Sequence, residues 1–122
     1  KGELSKSSLG SYFLNSQILV ITSLEEGFSL VLLEGLFLSI PIVSTEVGII
    51  PEVINDKVNG FIYNSNDQIK LAEIITNLKN DESLRSKMKV ASKQIYNKNF
   101  STIVSLEKIK SVLENIAQIK DR

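Results

Sequence analysis

Two carboxylates eight residues apart, Glu26 and Glu34, are by type and spacing the groups best placed to do chemistry in this chain. Glu34 stands in the middle of the most apolar stretch, Phe28 to Val43. An ionised carboxylate without a partner in apolar surroundings costs on the order of several kcal/mol, so Glu34 needs a donor or a route to solvent. Gly27 lets another group approach the backbone closely. A helix starting just after it would present N–H groups at Phe28, Ser29 and Leu30, and such an amino terminus suits a phosphate or diphosphate. Glu34 falls about one turn into that helix, on the face shared by Leu30 and Gly27, and its side chain leans back toward the helix start. A carboxylate is a poor phosphate ligand but a good acceptor for vicinal hydroxyls, so a ribose attached to the diphosphate would satisfy it. The competing reading places Glu34 at an exposed helix edge or beside another donor, Glu26 on a surface loop and Phe28 in the core.

Composition narrows the chemistry further. The 122 residues suit one domain with a single core, and 43% hydrophobic with 23% charged residues is ordinary for a globular protein. Fourteen basic and 14 acidic residues cancel, so charge gives no reason to expect nucleic acid as a partner. The chain has no cysteine and no histidine, which excludes disulfides, thiolate sites, HExxH zinc sites and imidazole-based triads within it. A cytoplasmic protein is expected. The apolar run is too short to span a bilayer and is broken by Glu34 and Pro41. A start at Lys1 without a leader suggests a piece of a longer protein.

The elements that must position the two acids follow from hydrophobic period. Residues 5–16 form a helix with Leu9, Tyr12 and Phe13 on one side, and ILVIT (18–22) is a strand of the kind buried on both faces. The loop SLEEGFS leads to a helix over 30–39, then to the strand PIVST (41–45). A short helix with Pro51 near its first position precedes the strand GFIY (60–63). Ser65 to Gln68 has the spacing of a capping box and opens a helix to about Leu78. Asp81 starts a helix with Leu84, Met88, Ala91 and Ile95 on one face, and Ser101 starts a last one. The lysines between Lys87 and Lys98 read as solvated helix faces, with a phosphate-binding stripe as the alternative. The fold class is α/β: a partial, Rossmann-like parallel sheet of about three strands, with helices on its faces and a helical C-terminal tail.

As a whole string, residues 9–63 resemble the donor-binding half of retaining glycosyltransferases of the two-Rossmann GT-B architecture, in the large family four (glycosyl transferases group 1). That family carries an E-x7-E motif, S-x-x-E-G-F-x-L-x-x-x-E-A, then P-V-V, a G-G-x-P-E loop and N-G-hydrophobic. Here Ser23, Glu26, Gly27, Phe28, Glu34, Pro41, Gly48, Pro51, Glu52, Asn59 and Gly60 stand in register. The family's E-A-M-A-x-G reads EGLFLSI here, and Ile49 replaces the second glycine of the G-G-x-P-E loop.

The resemblance implies a hexose transferred from a nucleotide sugar to a hydroxyl acceptor with retained anomeric configuration. Glu34 would bind the ribose, and the N–H groups of Phe28, Ser29 and Leu30 would meet the diphosphate and donor sugar. Glu26 would contact the transferred hexose near its anomeric centre, as catalytic and donor-binding residue, and Gly48 would lie in a donor loop. No metal or other cofactor is expected, and no D-x-D motif occurs. Residues 1–122 would be the later half of the C-terminal nucleotide-sugar-binding domain, inactive alone. The acceptor, a glycan or glycolipid, would be held by an N-terminal domain outside this chain, and the whole enzyme could sit peripherally at the inner face of the membrane. The alternative from another class is a non-catalytic α/β nucleotide-binding or docking subunit of a split transferase.

Overall fold

The computed structural model describes residues 6–24 and 30–100, with Glu114, Ala117 and Gln118 in helical conformation. Along the chain run α1 (Lys6–Asn15), β1 (Leu19–Ile21), α2 (Leu30–Phe37), β2 (Ile42–Thr45), α3 (Ile50–Val53), β3 (Gly60–Tyr63), α4 (Gln68–Asn80) and α5 (Glu82–Asn99). The three strands form one parallel sheet in the order β1-β2-β3, with Leu19 opposite Ile42 and Ile42 opposite Gly60. The α/β expectation therefore holds, with helices on both faces of the sheet. The helix expected from Ser101 falls largely outside the described residues.

Strand alternation divides the core in two. Ile21 and Ile42 point to one face, where they pack with Leu32 and Leu36 of α2, Ile50 and Val53 of α3, and Phe100. Val43 and Tyr63 point to the other, against Ile74 and Leu78 of α4 and Met88 of α5. The middle strand β2 is buried along its whole length. Its two hydroxyls are satisfied there: Ser44 donates to the Thr45 carbonyl at 2.9 Å, and Thr45 donates to the Ser23 carbonyl at 2.5 Å. ILVIT departs from its expected burial on both faces. Because β1 is the outer strand of the described sheet, Val20 remains 36% exposed on the α4 side.

Helix α5 joins the two cores. Leu84 and Met88 pack with α4 on one face of the sheet, and Ile95, Tyr96 and the following Phe100 reach the α2 side. Midway, the buried Ser92 hydroxyl donates to the Asn59 carbonyl at 3.3 Å, so α5 passes beside the amino end of β3. Asn59 is itself fully buried; its Oδ1 accepts from the Asn55 N–H at 2.7 Å and its Nδ2 donates to the Val53 carbonyl at 3.1 Å. The neighbouring Gly60 packs so closely on β2 that a Cβ there would lie 2.2 Å from the Ile42 carbonyl oxygen. The N-G pair thus closes the α3–β3 loop against the sheet. Lys87, Lys89, Lys93 and Lys98 all face solvent, as their spacing suggested.

The capping box expected at Ser65 does not form. Asn64 builds a turn instead, its Oδ1 accepting from the Asn66 N–H at 3.0 Å, and α4 starts two residues later than expected. Asp67 is the N-cap, accepting from the Lys70 N–H at 2.9 Å. An ionised acceptor makes the stronger bond to a helix-start N–H, which favours Asp67 over the Ser65 hydroxyl. Asp81 caps α5 in the same way through the Leu84 N–H.

Candidate functional site

In a parallel layer the strand-to-helix connections collect at the carboxyl edge of the sheet, and ligands bind there. Helix α2 leaves β1 and returns to the start of the parallel strand β2, so its amino end faces that edge. Leu30 is its first residue. Glu26, Gly27, Phe28 and Ser29 lie outside the described residues. The Thr45–Ser23 hydrogen bond ties the carboxyl end of β2 to the chain leaving β1, and so fixes where the loop carrying Glu26 sets out.

The buried side of α2 holds Leu32 and Leu36, leaving Val31, Glu34 and Phe37 on the exposed side. This resolves the carboxylate in the apolar run. Glu34 is exposed, at the helix edge of the competing reading, and that route to solvent accounts for its place in a helix otherwise largely apolar. Among the described residues it takes part in no ion pair. Phe37, 61% exposed, lies edge-on to Tyr96 of α5 with ring centroids 5.3 Å apart. The helix ends with paired hydrogen bonds from Ser39 N–H to Leu36 carbonyl and from Ile40 N–H to Gly35 carbonyl, which hold Ser39 at φ 57°. Ser39 stands at the glycine of the motif E-A-M-A-x-G.

Gly48 adopts φ 53° at the first central position of a turn closed by the Ile50 N–H and the Val47 carbonyl at 3.0 Å. A side chain there would be strained, so the first glycine of the G-G-x-P-E loop has a backbone reason. The second position has none. Ile49 sits at φ −78°, ψ −9°, and packs its side chain on the α2-side core. Pro51 occupies the first turn of α3 as expected.

Sequence reasoning missed an open cleft of about 370 Å³ at the same edge, lined by Leu24, Thr45, Glu46, Val47, Ile62, Tyr63, Asn64 and Ser65. Glu46 and Asn64 are the residues directly after β2 and β3, so the carboxyl-edge rule applied to all three strands would have found them. Among the described residues, no group of three potential ligands could hold a metal ion, and no helix is long and apolar enough to cross a membrane.

Residues 1–95 match the family model described as glycosyl transferases group 1. The chain belongs to this family. An uncharacterized glycosyltransferase of Methanocaldococcus jannaschii is 31% identical over 116 residues, covering 95% of this chain and 33% of that protein. The chain spans a third or less of the length of the curated relatives it matches. The C-terminal domain of a glycosyl transferase group 1 family protein, LpcC from Francisella tularensis, superposes with a TM-score of 0.75 at 24% identity, over 84% of this chain and 53% of that one. HepE from Anabaena, solved in complex with UDP, superposes with a TM-score of 0.78 at 21% identity, over 90% of this chain and 30% of that one. At these identities the likeness establishes the fold, a GT-B-like Rossmann arrangement shared with the group 1 glycosyltransferases.

Proposed function

We propose that the full-length protein is a retaining hexosyltransferase and that this chain supplies its nucleotide-sugar donor site. The observation carrying this reading is the family match over residues 1–95 on a chain whose Glu34 lies one turn into a helix with its amino end at the carboxyl edge of a parallel sheet. Family membership supports the transferase chemistry, and the fold shared with a protein solved with UDP supports a nucleotide at this edge.

In this reading the N–H groups of Phe28, Ser29 and Leu30 receive the diphosphate, where the helix dipole favours the negative charge that grows as the sugar departs. No acid stands in the first turn of α2 to oppose it. Glu34 accepts hydrogen bonds from the ribose hydroxyls, and Glu26 contacts the transferred hexose beside its anomeric centre. The site works without a metal. The acceptor, a glycan or glycolipid, reaches it from another domain of the full-length enzyme at the cytoplasmic side of a membrane.

Titrating the 15N-labelled chain with UDP, GDP and ADP tests the reading. One of the three is expected to shift the amides of residues 27–34 in saturable fashion. A folded spectrum unmoved by all three at millimolar concentration would contradict it.

A further inference from the structure

The cleft at the ends of β2 and β3 has a different chemical character from the start of α2. Among the described residues no lysine or arginine lines it, and the exposed Glu46 stands at its rim, so these groups favour no phosphate. Its polar groups suit hydroxyls instead. The Asn64 Oδ1 is occupied by the Asn66 N–H, which fixes the side chain and leaves its Nδ2 with two N–H donors, while Glu46 offers only acceptors. Leu24, Val47 and Ile62 supply apolar wall between these groups. Alternating acceptor, donor and apolar surface match a sugar ring, whose hydroxyls lie at its edge and whose C–H groups lie on its faces. The volume is that of a small-ligand site.

Position says which sugar. Leu24 precedes the loop that carries Glu26, and Thr45, in the cleft wall, is hydrogen-bonded to Ser23 of the same segment. The cleft therefore adjoins the segment that leads into Glu26, the residue assigned to the hexose in the proposed donor site. We infer that Glu46 and Asn64 bind the hydroxyls of the donor's hexose, away from its anomeric carbon, and select which sugar the enzyme accepts. This rests on the donor-site reading above. It divides the labour along one sheet edge: the start of α2 holds the diphosphate, and the ends of β2 and β3 read the sugar.

Three pairs of ligands test this on the 122-residue chain by NMR titration: UDP with UDP-glucose, GDP with GDP-mannose, and ADP with ADP-glucose. For the pair that binds, the sugar nucleotide is expected to move amides at 45–47 and 63–65 that the bare diphosphate leaves in place. Glu46→Ala, a change at an exposed position, is expected to weaken the sugar nucleotide about tenfold, the loss of a hydrogen bond to a charged group, and to leave the bare diphosphate unchanged. Ser65→Ala at the same rim is expected to weaken the sugar nucleotide less, since a neutral hydroxyl makes the weaker bond. Sugar-nucleotide shifts confined to 27–34, or a Glu46→Ala loss equal for both members of the pair, would overturn the inference while leaving the donor site standing. Absence of binding by every diphosphate and sugar nucleotide would overturn the donor site and this inference together.

Discussion

Helices α2 and α4 both follow a strand of the same parallel sheet, yet the described residues hold them in different ways. At the start of α4, Asp67 caps the Lys70 N–H; at its end, Arg85 of α5 donates to the carbonyls of Leu78 and Lys79 at 2.5 and 2.8 Å. Helix α2 has no acid in its first turn and no base in its last, and it finishes on a serine forced to positive φ. What holds α2 is the apolar contact of Leu32 and Leu36 with the sheet. With no acid in its first turn, such a helix does not oppose an incoming anion there. Helices α4 and α5 instead each begin on a capping aspartate.

The comparison can be broken most severely where the scaffold side is tied to the sheet. Asn59→Ala would strip hydrogen bonds from the Asn55 N–H and the Val53 carbonyl and leave a gap where the buried amide stood. A loss of about 2–4 kcal/mol is expected, read from denaturant midpoints with an unchanged slope. The smaller effect lies on the α2 side and has the opposite sign. Ser39→Gly relieves a left-handed conformation that costs an L-residue roughly 1–2 kcal/mol, less the entropy glycine gains in the unfolded chain. A net stabilisation of about 0.5–1 kcal/mol is expected. Destabilisation by Ser39→Gly would mean that the serine side chain does something the backbone geometry does not explain.

The same contrast sets how much could be read in advance. Where structure is local, the sequence carried it. GFIY became β3 residue for residue, and Asp81 with Leu84, Met88, Ala91 and Ile95 defined α5 and its inner face. Within that local reading, Ser65 was mistaken for a cap because hydroxyl and carboxylate caps share a spacing and differ only in strength. Val20 was misjudged because an apolar run does not tell a central strand from an outer one. For the site, the eight-residue spacing of Glu26 and Glu34 was legible, and so was a loop at Gly48, where the backbone takes a positive φ. The cleft was not, because Thr45, Glu46 and Asn64 come together only through strand register, and no local pattern marks them.

The account turns on Glu34 as the acceptor for a ribose. The direct measurement is calorimetric: the affinity of the chain for its preferred nucleoside diphosphate and for the 2′-deoxy form, in the native sequence and in Glu34→Ala. Because Glu34 is exposed, the variant should fold as the native chain does. The account predicts that the deoxy ligand binds about tenfold more weakly to the native chain and that Glu34→Ala binds both forms equally. Undiminished discrimination in Glu34→Ala, or none in the native chain, would contradict it.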